Sequence, residues 1–383
     1  MTEENQISSV RQFRRFALAV CVVGVLVQLL LTAYYLGMGH RAAPHDLPVG
    51  LIAAEADRAH VTGMLEEDGA FAVTDYTSAD RLLTAIRERD VYGGVDLTGD
   101  RPMLYVAGAA GASAASLLRT TYAGIMQQQK AQQLAALGEQ IPAARAQALI
   151  AAPAVTDVVP LPADDVNGVS LGFLTQALSL GGTIASMGLG RLIPRTRRSW
   201  KRGAGHLATL VVYAVGSAAA VLWSMSWFGV GAGADRTEML LIFSLISLAV
   251  TGSTAGAVAL VGPAGALVGA FYFTVGTVIS GASILPEFLP AFGRHLGENL
   301  PTGAGVQAVR DNLYFPDAPI GRHLLVLGLY AAIGCLIVLI TNILPNRGDR
   351  TSEVDLAATV RFSAAEPQIS GRTPNEQSWE SRE

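Results

Sequence analysis

Charged residues are scarce in this chain of 383 residues: they make up 15% of it, against 51% hydrophobic residues. Soluble globular domains carry about a quarter charged residues. The apolar residues are clustered, and several stretches of more than twenty residues contain no charge at all. This distribution excludes a purely soluble protein and predicts a polytopic α-helical membrane protein.

Lysine and cysteine are also rare. The only lysines are Lys130 and Lys201, and neither follows a glycine. The phosphate-binding loop of an ATPase requires Gly-Lys followed by Ser or Thr, so the chain lacks that nucleotide site. The two cysteines, Cys21 and Cys335, both lie in apolar segments. The polar part of the chain therefore has no cysteine from which to form a disulfide.

Residue patterns that support catalysis or metal binding are missing as well. His40 and His45 precede Asp46, but no cluster of Cys and His accompanies them. The sequence G-x-S-x-G occurs once, at 168–172, but at the start of an apolar span and not between a strand and a helix as in a nucleophile elbow. We therefore predict no metal, no cofactor and no enzymatic activity, since an intramembrane enzyme would need a nucleophile–base pair. The apolar spans also lack Asp, Glu, Lys and Arg, which argues against a proton- or sodium-coupled transporter.

Apolar stretches predict six membrane-spanning helices, one followed by a group of five. The first stretch has 23 uncharged residues, about 35 Å as a helix, and the bilayer core is about 30 Å thick. It is longer than the apolar region of a cleaved signal peptide, so we expect an uncleaved anchor. The uncharged stretch 239–286 has 48 residues, enough for two crossings with a turn at 262–265. The predicted spans are 16–38, 169–190, 206–228, 239–261, 265–285 and 323–344.

Residues 39–168 form a polar segment between the first and second spans, with nine basic and sixteen acidic residues. Short apolar runs alternate with helical patterns in its first half. The pattern predicts strands at 49–53, 71–75, 91–97 and 103–106, with helices at 58–67 and 78–89. A helix rich in Ala and Gln then precedes a last strand at 155–161. Such alternation favours an α/β domain.

Basic residues are concentrated beside particular spans, and this predicts the orientation in the cell membrane. Arg11, Arg14 and Arg15 precede the first span, and six basic residues with no acidic ones occur in 191–204. Such residues are typical of the cytoplasmic side. Both the N-terminal segment 1–15 and the tail 346–383, which we expect to be disordered, are then cytoplasmic. The α/β domain 39–168 and the loop 286–322 are then extracytoplasmic.

The basic loop between the second and third spans is a candidate contact for a cytoplasmic partner. It combines basic residues with a tryptophan, a composition common at interfaces. The same charges serve equally as a topology signal or as a site for anionic lipid headgroups. The candidate coupling residues are Arg191, Arg195, Arg197, Arg198, Trp200, Lys201 and Arg202.

Small residues one helical turn apart recur in the second, fourth and fifth spans. Such spacing lets helix backbones approach closely. The pattern predicts either a dimer seam or moving interface, or ordinary packing within one chain. The candidate packing residues are Gly182, Ser186, Gly190, Gly252, Gly256, Gly265 and Gly269.

The outer loop 286–322 keeps apolar residues between its prolines, and 303–313 has the pattern of a helix. One interpretation is a re-entrant or interfacial segment shielded by protein, and the other is an ordinary capping loop. Its candidate residues are Glu287, Arg294, Glu298, Pro301, Arg310 and Asp311.

Five short motifs resemble the membrane subunit of a type-2 ABC exporter, in particular the YhgE/Pip-like branch. They are 47–52 (LPVGLI), 78–83 (SADRLL), 91–95 (VYGGV), 300–303 (LPTG) and 308–310 (AVR). The layout of one anchor span, a large outer domain and five further spans is similar too, so the resemblance covers about 10–345. It implies a permease half that works as a homodimer or heterodimer with a separate cytoplasmic ATPase. The exported compound would be lipid-, peptide- or glycan-like.

Members of that branch without an obvious ATPase leave an alternative open. In that alternative the chain is a standalone envelope protein, a receptor or scaffold, whose outer domain binds a ligand or partner. Both hypotheses place the chain in the lipid bilayer, and neither involves nucleic acid.

Overall fold

The computed structural model describes residues 22–23, 25–39, 42–99, 102–137, 154–165, 168–191 and 200–343. In these residues the protein is mostly helical and contains one five-stranded sheet. Three helical segments are long and apolar enough to cross a membrane: Trp200–Trp227, Arg236–Gly276 and Gly321–Ile343. The predicted cytoplasmic segments 1–15 and 346–383 lie outside the described residues.

The sheet is mixed, and its strand order is β2-β1-β3-β4-β5. Strand β1 pairs in parallel with β2 and β3, β4 is antiparallel to β3, and β5 is parallel to β4. The predicted alternation of strands and helices is confirmed, with two strands at their predicted bounds. The strands are β1 Leu47–Ile52, β2 Phe71–Asp75, β3 Gly93–Asp96, β4 Met103–Val106 and β5 Ala154–Asp157.

Helices cover both faces of the sheet: α2 (Glu55–Glu66), α3 (Ala79–Arg87) and α4 (Ala112–Leu137). Ser78 caps α3, because its hydroxyl accepts a hydrogen bond from the Arg81 N–H. Leu82 of α3 packs against Gly94. Leu118 of α4 packs against the adjacent Gly93 on the opposite face of the sheet. We call residues 42–165 of this layered unit the sheet domain.

Four long helices form the bundle: α5 (Ser170–Arg191), α6 (Trp200–Trp227), α7 (Arg236–Val261) and α11 (Gly321–Ile343). The shorter apolar helix α1 (Val25–Gly39) lies beside it, with the Tyr34 hydroxyl donating to the Val275 carbonyl at 3.0 Å. Helix α7 is central and packs against α5, α6 and α11. Of an 18-residue apolar stretch in the segment that α7 opens, 61% is buried inside the protein, against 17% for α6 and 22% for α11. The helices coincide closely with the predicted spans, although the first part of the anchor lies outside the described residues.

The segment Arg236–Gly276 contains a reversal of the chain. Gly262 ends α7 with a φ of 73°, which glycine adopts without strain. The backbone of Gly265 then lies so close to Ala257 that an added methyl group would come within 2.2 Å of it. The next helix, α8 (Ala266–Phe271), therefore packs back against α7, with the turn at the predicted position.

The predicted span 265–285 is helical over its first half only. Helix α8 continues as a π-helical turn, Tyr272–Gly276, and 277–285 is irregular. The helical part, six residues plus five, is about 16 Å long, roughly half the bilayer core. The predicted complete helical crossing is therefore interrupted after Gly276.

The predicted outer loop, 286–322, folds into two further helices, α9 (Ala291–Asn299) and α10 (Pro301–Tyr314). Helix α10 packs against α5, α7 and α11 and is buried from Pro301 to Asp311. Its Gly305 lies against Ile246, ten residues into α7 and therefore about 15 Å from the start of that helix. The loop enters the bundle instead of covering its end.

Candidate functional site

The sheet domain and residues between α8 and α11 share one hydrophobic core. Leu285, Phe288 and Phe315 are buried together with residues of the sheet domain. Leu285 sits directly on Gly111, where an added methyl group would come within 2.4 Å of its side chain. The domain is therefore packed onto the bundle and not tethered to it by linkers alone.

A buried ion pair joins the sheet domain to α10. Arg89 follows the end of α3 in a left-handed conformation, with a φ of 62°. Its guanidinium pairs with Asp311, donates to Gln307 Oε1 at 2.7 Å and lies 5.7 Å from the centre of the Phe315 ring. The Asp311 side chain is only 4% exposed. An ion pair this deeply buried is held by geometry and additional hydrogen bonds.

The side chains of α10 also bind the irregular segment that follows α8. Arg310 donates to the Gly281 carbonyl at 2.7 Å and to Gln307 Oε1 at 3.2 Å. Gln307 in turn donates to the Ser280 carbonyl at 3.3 Å. These two carbonyls have no helical partner because the helix has unwound. Irregular backbone inside a membrane bundle is tolerated where protein groups satisfy it, and α10 supplies them.

Gly281 is required at this position for two reasons. Its φ is 83°, and an added methyl group would come within 2.4 Å of Gln307 Nε2. Any other residue would be strained in this backbone conformation and would displace the glutamine. The break in the helix is therefore built into the sequence at Gly281.

Two further contacts complete the cluster. Tyr92 donates its hydroxyl to Glu287 Oε2 at 2.8 Å, and the His45 N–H donates to the Glu287 carbonyl at 2.8 Å. His323, near the start of α11, has Nε2 at 3.5 Å from Asp311 Oδ2. We call this cluster the ionic joint: Arg89, Tyr92, Glu287, Gln307, Arg310, Asp311 and His323.

Burial shifts the protonation equilibria in the joint without removing its charges. Burial, with the nearby Arg89 cation, lowers the pKa of Arg310 to about 10, so Arg310 remains protonated at neutral pH. Burial also opposes the charge of Arg89, but Asp311 and Tyr92 raise the pKa of Arg89 on balance. Burial and Glu287 raise the pKa of Tyr92, which keeps its hydroxyl a donor. Two cations and two carboxylates therefore balance one another.

The joint contains three of the six residues predicted in the outer loop: Glu287, Arg310 and Asp311. Glu298 instead forms an ion pair with Arg322, with N and O at 3.3 Å. Arg294 belongs to α9, and Pro301 opens α10 at its first position.

Three of the predicted coupling residues lie at the end of α6 that is opposite to this cluster. Trp200, Lys201 and Arg202 form the first turn of α6 and are exposed. Arg191 ends α5, but its side chain is not among those described. Arg195, Arg197 and Arg198 lie outside the described residues.

The predicted packing residues contact neighbouring helices of the same chain. Gly182 lies against Val250, and the Ser186 hydroxyl donates to the Thr251 carbonyl at 3.1 Å. Helices α7 and α11 cross closely, since a methyl group added at Gly334 would come within 2.3 Å of the Gly252 backbone. The other contacts are Gly252 with Cys335, Gly256 with Gly334, Gly265 with Ala257 and Gly269 with Thr183. Gly190 lies in α5 with its surroundings outside the described residues.

Sequence reasoning missed Arg89, Tyr92, Gln307 and His323. Arg89 is separated from Asp311 by 222 positions, and no local pattern marks such a pair. The sequence also did not predict the positive φ of Arg89. The available signal was the Arg310-Asp311 dipeptide on a predicted helix between apolar segments. If such charged side chains are buried, they need partners elsewhere in the chain.

Within the described ranges, no group of three His, Cys, Asp or Glu side chains is arranged to hold a metal ion. Comparison of the chain with known protein families, curated proteins and solved structures finds no match.

Proposed function

We propose that the protein is the membrane permease of an ABC-type export system, moving a lipid-, peptide- or glycan-like compound outward with a separate ATPase subunit. The observation that carries the proposal is the helix broken at 277–285 and held by α10, which is itself ion-paired to the sheet domain. Secondary transporters have discontinuous helices at their substrate and ion sites, and we propose the same use of a broken helix in a permease. A shift of the bundle helices at this break would reach the sheet domain through Arg310, Asp311 and Arg89.

Aromatic residues on α6 support a transmembrane orientation for this helix. Trp200 is 63% exposed at one end, and Trp223 and Trp227 are 66% and 63% exposed at the other. They are separated by about 35–40 Å along the helix. This matches a bilayer including its interfacial regions, about 40–45 Å, where tryptophan is enriched.

The basic turn at the start of α6 and the sheet domain lie at opposite ends of the bundle. Gly231, in the loop after α6, contacts Leu313 of α10, and α10 leads to the sheet domain at Phe315. This arrangement supports six spans with cytoplasmic termini and an extracytoplasmic sheet domain. In the proposed dimer, the ATPase would contact the first turn of α6, where Trp200 provides an apolar anchor among basic residues.

Cysteine labelling tests the orientation in a background free of Cys21 and Cys335. Asp80→Cys in the exposed part of α3 should react with an impermeant reagent from outside intact cells. Lys201→Cys should react only after permeabilisation. Reaction of Lys201→Cys in intact cells would contradict the orientation and with it the export proposal.

Co-purification tests the ATPase. The protein extracted in mild detergent should carry a nucleotide-hydrolysing subunit, and Trp200→Ala should weaken that association while leaving the labelling pattern intact. Trp223→Ala, an equally exposed tryptophan at the far end of the same helix, is the matched control. If no ATPase accompanies the wild-type protein, the proposal fails and the standalone envelope protein is favoured.

A further inference from the structure

His206 is a buried histidine near the start of α6. It is 9% exposed, and neither of its ring nitrogens has a hydrogen-bond partner. It follows Trp200, the first residue of the helix, by about 9 Å along the axis. Buried polar side chains are almost always hydrogen-bonded, so an unpartnered one requires an explanation. An ionisable side chain inside a membrane helix is also a candidate functional group.

The imidazole lies on the face of α6 that packs against α7 and α11. One turn before His206, a methyl group added at Gly203 would come within 2.9 Å of the Leu339 side chain on α11. One turn after it, Leu210 is buried in a cluster with residues of α7 and α11. Residues three or four positions apart share one face of a helix. The ring is therefore enclosed between three helices.

The helices around His206 offer no carboxylate to a protonated ring. Residues 239–261 of α7 and 324–343 of α11 include no Asp, Glu, Lys or Arg. On α6 itself the preceding charged residues are Lys201 and Arg202, and both are cations. Arg202 is four positions before His206, and like charges at this spacing repel each other. A second positive charge at His206 would therefore be disfavoured by its surroundings.

The remaining polar and titratable side chains of these helix segments have other contacts. Asn342, which is 8% exposed on α11, donates its amide to the Val338 carbonyl of its own helix at 2.7 Å. The titratable residues contact other positions: Tyr213 lies against Gly181, Tyr330 against Tyr272, and Cys335 against Gly252. The site thus accommodates a neutral imidazole and provides nothing that compensates an imidazolium.

A buried unpaired charge costs far more free energy than a buried neutral polar group. A protonated ring must therefore reach water, and it can do so only if the first two turns of α6 move away from α11. Protonation and this movement are linked, so the movement becomes easier as the pH falls. An accessible histidine titrates near pH 6.5, which is within the physiological range.

We infer that His206 is a pH-sensitive contact: the neutral ring allows the first two turns of α6 to pack against α11, and protonation releases them. In the proposed orientation this contact responds to the pH of the cytoplasm. The released segment includes the exposed basic turn of Trp200, Lys201 and Arg202. The inference rests on the packing of α6 alone and holds whether or not an ATPase binds that turn.

Thiol labelling of the full chain in detergent tests the inference, in a background free of Cys21 and Cys335. Asn342→Cys places a thiol on α11 beside Gly203, where it reacts when α6 moves away. Its labelling rate is divided by the rate of the same cysteine in a His206→Leu background, which cancels the pH dependence of the thiol. Between about pH 7.5 and about pH 5.5 the ratio should rise, by up to about tenfold for each unit below about 6.5.

Leu327→Cys is the matched control, because Leu327 is fully buried on the same helix and lies about 22 Å from Asn342 along it. Its ratio should remain near one. His206→Gln, which is polar and uncharged, replaces His206→Leu if that variant does not fold. A ratio for Asn342→Cys that is independent of pH would overturn the inference. An equal rise at both cysteines would also overturn it, because protonation would then unfold the whole bundle.

Discussion

Arg89 and Asp311, 222 positions apart in the chain, form a buried ion pair that fastens the sheet domain to a helix inside the bundle. The pair brings together a residue just after α3 and a residue on α10, two elements that share no sequence neighbourhood. It adds a specific polar contact to the hydrophobic core that the domain shares with the residues between α8 and α11.

Arg89→Met should destabilise the folded protein by about 3–5 kcal/mol, because Asp311 is then left buried without its main partner. Thermal unfolding in detergent is the measurement. The double variant Arg89→Met/Asp311→Leu should recover part of the loss. Arg81→Met, on the exposed face of α3, should change stability by less than about 0.5 kcal/mol. Purely additive effects in the double variant would show that the two side chains do not interact.

Gly281→Ala should destabilise by about 1–3 kcal/mol, since a left-handed conformation is strained for alanine and the new methyl group would displace Gln307. Gly233→Ala is a suitable control, because a methyl group there meets nothing within 4 Å. The measurement is the free energy of unfolding of both variants in the same detergent. Equal stability of the two would mean that the 277–285 segment does not require its observed backbone.

Tyr92→Phe should cost about 1.5–3 kcal/mol at neutral pH, the range for a hydrogen bond to a charged group. Burial and Glu287 raise the pKa of Tyr92 above its usual value near 10. The unfolded phenol therefore ionises first, so the contribution of Tyr92 is complete below pH 10 and falls as the pH rises further. The stability gap between wild type and Tyr92→Phe should be constant up to about pH 9, begin to narrow near pH 10 and keep narrowing at higher pH in detergent melts. Tyr105→Phe, in β4, is the control, and a gap independent of pH would contradict the assignment.

Gly334→Leu should disrupt the crossing of α7 and α11, because even a methyl group there would come within 2.3 Å of the Gly252 backbone. Overpacking of this kind costs about 1–3 kcal/mol or more. Gly328→Leu lies on the same helix at a position with nothing within 4 Å and should be tolerated. The measurements are stability in detergent and oligomer size. If both substitutions are tolerated, α7 and α11 do not cross closely at Gly334.

Much of the sheet domain could be predicted because its signals are local. Alternating apolar residues located β2 at Phe71–Asp75, and Ser78 was identifiable as a helix cap. The order of the strands was not predictable, since pairing of β4 with β5 joins segments separated by about fifty residues and depends on tertiary contacts.

The break in the membrane segment could not be predicted from hydropathy. Residues 265–285 are uniformly uncharged, so composition favours a complete span. The groups that stabilise the unwound carbonyls, Gln307 and Arg310, lie 27 and 29 positions further on. Pro301, Arg310 and Asp311 were recognised as candidates, but their interaction partners depend on the way α10 enters the bundle.

The burial of α10 suggests an order of events in the biogenesis of the protein. With 14 residues, about 21 Å, this helix is too short to be inserted as a span, and it carries Arg310 and Asp311. We therefore expect it to reach its position only after α7 and α11, which pack against it, are in the bilayer. Docking of the sheet domain onto α10 would then follow. A variant defective in the ionic joint should therefore insert its apolar helices normally yet be recognised by membrane quality-control proteases.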